Sequence, residues 1–318
     1  MNQKYKINKN MKIFIAGAGG MVGSAIFREL SNNKYDNLLF PSRKELDLLH
    51  KSDVINYLIM NKPDIIILSA AKVGGIFSNM SYPGEFIFEN MEIQNHLIHC
   101  SHLIGVRKFI FIGSSCIYPK NCPQPIKEEY LLSGKLEETN EAYAIAKISG
   151  IKMVQSYRKQ YDFPGISIMP CNLYGTNDSF DSQNSHVLSA LVKKFVDAVD
   201  NSKDSITLWG TGSAKREFMH VDDAAKAIIF LMENYSDSEM INIGWGEDIS
   251  VKNLAILISK LTDFSGEILW DHSIPDGTLR KCLDVTKMIE LGFFPSIGLK
   301  KGVQQTIIEY RKLKVNSD

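Results

Sequence analysis

Apolar residues in the first half of the chain fall in short unbroken runs, separated by longer stretches where they recur at three- and four-residue spacing. Residues 12–16 (KIFIA), 64–68 (DIIIL), 108–112 (KFIFI) and 166–169 read as strands with little polar alternation, and residues 37–40 as a further one. Residues 21–30, 54–60, 86–102 and 142–160 carry helical spacing. Strands alternating with helices imply parallel βαβ units. Strands apolar at nearly every position suit a sheet covered on both faces. The second half is less regular. Residues 175–185 are polar and predict a loop, 186–199 a helix, 206–209 a short strand before a turn at 210–212, and 241–243 another strand.

With 318 residues, 44% of them apolar, the chain is long enough for two lobes around one cleft. Lys plus Arg and Asp plus Glu number 36 each, so the formal net charge is zero and no global field draws the chain to nucleic acid or an anionic membrane. No apolar run is long enough to span a bilayer, and the polar, basic residues 1–10 predict a loose tail and not a signal peptide, so a cytoplasmic protein is expected. The five cysteines are an odd number with no CxxC spacing. They predict neither a disulfide framework nor a metal site, and fit a reducing compartment.

The first strand runs into Gly17-Ala-Gly-Gly20-Met-Val-Gly23, and a helix follows. Glycines at that spacing, between strand and helix, make a loop that cradles a pyrophosphate. Gly17 permits the tight turn, Gly20 lets the backbone come close, Gly23 lets the helix pack on the sheet, and the helix N-terminus offers free N–H groups. The expected fold class is therefore α/β, a Rossmann-like doubly wound parallel sheet with a smaller C-terminal α/β lobe. Residues 11–175 with about 217–247 form the dinucleotide domain, and 176–216 with 248–318 the smaller lobe. The second strand ends in Pro41-Ser42-Arg43-Lys44, with no Asp at the position that holds a ribose diol. Arg43 and Lys44 can clamp a 2′-phosphate, which favours NADP(H).

Tyr143 and Lys147 stand four apart on a predicted helix and so share a face. A phenol near pKa 10 is a poor acid or base at neutral pH. A neighbouring ammonium is expected to lower that pKa and make Tyr143 a proton donor to a carbonyl receiving hydride. Ser114 or Ser115, just past a strand end, can hydrogen-bond the same oxygen.

Together these features resemble the extended short-chain dehydrogenase/reductase family, from about residue 12 to 312. Within it they are similar to the branch of epimerase–reductases that convert GDP-4-keto-6-deoxymannose to GDP-L-fucose. The more specific markers are Ala70-Ala-Lys-Val-Gly-Gly75, Gly113-Ser-Ser-Cys-Ile-Tyr-Pro119, Asn140-Glu-Ala-Tyr-Ala-Ile-Ala-Lys147, Asn172-Leu-Tyr-Gly175, Asn184-Ser-His186, Arg216-Glu-Phe-Met-His-Val-Asp-Asp223 and Pro275-Asp-Gly-Thr278. The resemblance implies that Tyr143, Lys147 and Ser114 form a reductase triad, and that Cys116 and His186 are the acid–base pair for epimerisation at C3 and C5. It further implies cofactor contacts at Gly17, Gly20, Met21, Val22, Gly23, Arg43, Ala70, Lys147 and His186. Contacts to a GDP-linked 4-keto-6-deoxy sugar fall to Asn172, Lys194, Trp209, Arg216 and Lys281. A homodimer is implied, with the helix over 86–102 at the contact.

The chain departs from that pattern twice. Gly19 stands where the family often carries a basic residue, which removes one candidate 2′-phosphate contact. Lys194 stands where Arg is usual, and a point charge cannot make the bidentate fork of a guanidinium. Two other readings stay open. One is a C4-reductase alone, acting on a related GDP-4-keto sugar such as a 6-deoxyheptose. The other is a non-catalytic NADP(H) sensor, against which an intact proton donor speaks. His50, His96, His99, His102, His220 and His272 are expected to be structural.

Overall fold

The computed structural model describes residues 6–181, 185–274 and 276–315. Asn184 and Pro275, quoted in the motifs above, and residues 1–5 of the tail lie outside the described residues. In chain order the first half comprises β1 (Ile13–Ala16), α1 (Met21–Asn32), β2 (Leu38–Leu39), α2 (Lys51–Asn61), β3 (Ile65–Leu68), α3 (Ile76–Ser81), α4 (Pro83–Ile104), β4 (Lys108–Ile112), α5 (Glu141–Tyr161) and β5 (Gly165–Pro170). It is followed by β6 (Asn172–Tyr174), α6 (Val187–Asp200), β7 (Ser205–Trp209), β8 (Lys215–His220), α7 (Val221–Asn234) and β9 (Ile241–Ile243). The chain closes with β10 (Asp248–Ser250), α8 (Val251–Thr262), β11 (Glu267–Asp271), β12 (Arg280–Lys281), α9 (Thr286–Glu290) and α10 (Leu299–Val315).

The main sheet has the order β2-β1-β3-β4-β5-β9, parallel throughout. Every residue of β1, β3, β4 and β5 is buried, which is why their sequences do not alternate. Helices α4 and α5 pack together, with α2 against α4, while α1 packs against α7. This is the doubly wound α/β fold that the alternation predicts. The predicted strand over 37–40 is only two residues long, because β2 is a half-exposed edge. Chain direction across the sheet reverses between β1 and β3, and ligands in such sheets bind in the crevice beyond that point.

Buried apolar residues form two clusters. The larger surrounds the main sheet and includes α7, β9 and the later residues Leu283, Val285 and Met288. The smaller joins α6, α8 and α10 with β7 and Phe264. Between them lies a sheet in which β8 pairs with β6, β10 and β12. The sequence pattern does not announce this sheet, because its strands are two to six residues long and lie far apart in the chain.

Two glycines set the geometry of the phosphate loop. Gly17 has φ of +90°, and a Cβ there would lie 2.6 Å from the Ala70 backbone nitrogen. A Cβ on Gly23 would lie 2.1 Å from the Gly17 carbonyl oxygen, so α1 can start this close to β1 only with glycine at that position. Gly23→Ala should destabilise the fold by about 1–3 kcal/mol, the usual range for overpacking. Thermal or chemical denaturation measures it, and an unchanged midpoint would show that the loop relaxes freely.

Candidate active site

A cavity of about 820 Å³ opens beyond the carboxyl ends of β1, β3, β4 and β5. Its walls include Gly17, Gly20, Met21, Val22, Gly23, Arg43 and Ala70 on one side, and Ser114, Cys116, Tyr143, Lys147, Asn172 and His186 on the other. Arg216 and Lys281 stand beyond these walls, on β8 and β12 of the joining sheet, where Lys281 touches Cys116 and the charge of Arg216 reaches it. Lys281 Nζ lies 3.5 Å from Cys116 Sγ. Lys194 and Trp209 are further off, on the α6–β7 surface. There Lys194 donates to the Thr207 carbonyl at 2.5 Å, and Trp209 is 69% exposed.

The glycine loop fits a dinucleotide. Gly20 caps α1 in an extended conformation with no side-chain cap, so the first-turn N–H groups are available to a phosphate. A Cβ on Gly19 would meet nothing within 4 Å, so the loop is open to the cavity there. The first turn of α1 carries no acidic residue. Arg43 lies on the exposed loop after β2, with its Nε 3.8 Å from Asp47. That long contact leaves the guanidinium free to turn toward a phosphate.

The reacting half is built at the end of β4. Ser114 caps the short 3₁₀ turn Ser115–Ile117, its Oγ accepting from the Cys116 amide at 3.3 Å. That turn brings Cys116 out of the strand line to face the cavity, half-buried. Tyr143 and Lys147 come from the first turns of α5, which packs along the same strand. Lys147 is buried; its ammonium donates to the Ile112 carbonyl at 3.0 Å and sits 5.0 Å from the Phe111 ring and 5.9 Å from the Tyr143 ring.

Burial decides the protonation of this pair. It lowers Lys147 to about 8. Burial, with a smaller contribution from Cys116, raises Tyr143 above its ordinary value, against a hydrogen bond with Ser114 that lowers it. The expectation that Lys147 pulls Tyr143 toward phenolate is therefore corrected. Burial dominates, with only the Ser114 hydrogen bond opposing it, and Tyr143 holds its proton. Cys116 behaves in the opposite way. Burial raises its pKa, but the charge of Lys281, hydrogen bonds with Ser114 and Lys281, and the charge of Arg216 together bring the thiol below its usual range.

His186 is exposed at the N-cap of α6, and nearby Asp178, its carboxyl raised by burial, accepts from the Ser189 hydroxyl. Asn172 donates to the Glu217 carbonyl at 2.8 Å. Three of the remaining histidines have ordinary structural partners: His96 contacts the Leu48 carbonyl at 3.0 Å, His99 the Tyr157 hydroxyl at 2.9 Å, and His102 stacks on Tyr161. Lys72, Glu89 and Asn140 are among the residues that line the cavity without a role assigned from sequence. Lys72 donates to Glu89 at 2.6 Å and pairs with Glu85. Lys72 and Asn140 belong to the motifs above and were within reach of sequence reading. Glu89 sits on a helix face with no signal of its own.

A model of the NAD dependent epimerase/dehydratase family matches residues 13–244. A GDP-L-fucose synthase 1 of Arabidopsis thaliana is 48% identical over 305 residues, covering 96% of this chain and 94% of that protein. Among solved structures, a GDP-6-OMe-4-keto-L-xylo-heptose reductase from C. jejuni has a TM-score of 0.90 at 35% identity, covering 98% of this chain and 100% of the other. A GDP-L-fucose synthetase from Naegleria fowleri bound to NADP has a TM-score of 0.91 at 26% identity, covering 99% and 97%.

Lys281→Ala should raise the pH midpoint of Cys116 alkylation by about one unit, the scale of one neighbouring opposite charge. Iodoacetamide labelling followed by mass spectrometry at the Cys116 peptide measures it. An unmoved midpoint would mean that the 3.5 Å contact does not control the thiol.

Proposed function

Because the chain belongs to the NAD dependent epimerase/dehydratase family, we propose that it is an NADPH-dependent epimerase–reductase that converts GDP-4-keto-6-deoxy-D-mannose to GDP-L-fucose. The observation that carries this reading is the meeting of two proton-handling sets on one cavity. One is Tyr143, Lys147 and Ser114, and the other is Cys116 and His186.

Bound NADPH supplies hydride to C4 of the sugar. Gly17, Gly20, Gly23 and Ala70, with Met21 and Val22 of the first turn, would hold its diphosphate, Arg43 would take the 2′-phosphate, and Lys147 and His186 would add contacts from the far wall. Tyr143, kept neutral by burial, delivers its proton to O4. Ser114 hydrogen-bonds with that phenol. The Lys147 ammonium, anchored on the Ile112 carbonyl, stabilises the phenolate left behind.

A C4 ketone acidifies the hydrogens on C3 and C5. Cys116, biased toward thiolate by Lys281 and Arg216, exchanges a proton on one face of the ring, and His186 on the other. Asn172, Arg216 and Lys281 contact the sugar-diphosphate. Trp209 and Lys194 meet the nucleotide end, with Lys194 leaving the Thr207 carbonyl for a phosphate oxygen.

One observation favours a second reading, C4 reduction alone on a GDP-linked 4-keto heptose: the likeness to the heptose reductase. The working unit in our reading is a homodimer in the cytoplasm. Phe88 and Leu103 of α4 and Ile145 and Tyr161 of α5 are exposed apolar residues that suit a contact between copies. No helix of the described residues is long and apolar enough to cross a membrane.

Tyr143→Phe should cut NADPH-dependent reduction by about 10²–10⁴-fold, the usual worth of a positioned acid, while NADPH still binds. Stopped-flow absorbance and cofactor titration measure both, and turnover like that of the wild type would sink the triad. Arg43→Ala should raise KM for NADPH by roughly tenfold and leave that for NADH nearly unchanged, as expected for loss of one charged hydrogen bond. Equal effects on both cofactors would mean that Arg43 does not meet the 2′-phosphate.

A further inference from the structure

Glu217 has no solvent exposure, yet it carries an ionisable group into the seam between the two clusters. It lies on β8 directly after Arg216, and Arg216 is the register partner of Lys281 on β12. One carboxylate oxygen accepts from the Leu283 amide at 2.7 Å and the other from the Gly246 amide at 2.7 Å, with the Trp245 amide adding a third bond. The Glu217 carbonyl meanwhile accepts from Asn172. A Cβ on Gly244 would lie 2.1 Å from Glu217 Oε1, so glycine at 244 is what admits the carboxylate. Burial raises this carboxyl to about 7, with Asp248 adding to the rise and the amides of Leu283, Gly246 and Trp245 opposing it. Those amides favour the ionised form.

A buried carboxylate costs stability unless it does something a hydrophobe cannot. Here it clamps two separate backbone segments onto β8. Leu283 is two residues past Lys281, and Arg216 is the clamp's own neighbour, so both cations are carried on the strands beside the clamp. Those two cations, with the Ser114 hydrogen bond, are what hold the Cys116 thiol below its usual range. Coulomb energy falls as the inverse of distance, so letting Lys281 drift to about twice its present separation would halve its pull on the thiol.

We propose that Glu217 is a positioning residue for the acid–base step. Its carboxylate ties the 244–246 turn and the Leu283 amide to β8, and through them fixes Arg216 and Lys281 against Cys116. The importance of this to turnover rests on the reading of Cys116 given above; the control of the thiol's acidity does not.

The test is the pH profile of Cys116 alkylation in the full-length protein, read by mass spectrometry above neutral pH where Glu217 is ionised, together with solvent deuterium wash-in at C3 and C5 of GDP-4-keto-6-deoxymannose. Glu217→Gln should raise the alkylation midpoint by about one unit, equivalent to about tenfold in thiolate population, and slow wash-in in parallel. Removing a negative charge would by itself lower the midpoint, so a rise reports displaced cations and not a lost field. Gly244→Ala, which expels the carboxylate by contact, should move the midpoint the same way. Glu217→Asp keeps the charge with a shorter reach and should give part of the shift; it decides the matter if the Gln variant does not fold. A wild-type midpoint in the folded variants overturns the proposal. A shifted midpoint with no wash-in by the wild-type enzyme supports the positioning role and overturns the epimerase reading instead.

Discussion

In a parallel sheet buried on both faces, every backbone N–H and C=O of the inner strands is engaged in the ladder, and no polar side chain can be placed along them at low cost. Chemistry therefore gathers where the strands stop. The glycine loop follows β1, Ala70 follows β3, the Ser114–Cys116 turn follows β4, and Asn172 follows β5. Close backbone approach tightens that edge further, since Gly17 fits only against an Ala70 nitrogen that a side chain would strike. The reaction geometry depends on this edge more than on any single side chain.

Within the cavity, desolvation acts on all groups but does not win everywhere. Lys147 is lowered to about 8 and Tyr143 is raised, because neither faces an opposing charge strong enough to offset burial. Cys116 faces the charges of Lys281 and Arg216 and a hydrogen bond with Ser114, and there together they outweigh burial. A phenol that keeps its proton and a thiol that readily gives its own up are pushed in opposite directions in one pocket. Such divergence between neighbouring titratable groups is what acid and base roles require.

Much of the dinucleotide half is legible in the sequence. Unbroken apolar runs mark β1, β3, β4 and β5 because strands covered on both faces leave no polar alternation to hide them. The joining sheet around β8 is not legible, since β10 and β12 are too short to carry a period. The same limit applies to the site. The i, i+4 pair Tyr143 and Lys147 can be read from helix geometry, but the direction of the Tyr143 shift cannot, because burial is a property of the folded surroundings. Lys281 lies 165 positions from Cys116, and no local pattern brings the two together. Glu217 stands inside a recognisable motif without its meaning, which lies in backbone amides that only the fold delivers.

A single cavity that both epimerises and reduces must exchange the C3 and C5 hydrogens with solvent before C4 is reduced. The most direct measurement is NMR analysis of the product formed from GDP-4-keto-6-deoxymannose and NADPH in deuterated water. Deuterium at C3 and C5 with L-galacto stereochemistry is the predicted result. Reduction at C4 with protium retained at both carbons would contradict it, and would leave Cys116 and His186 without a part in the reaction.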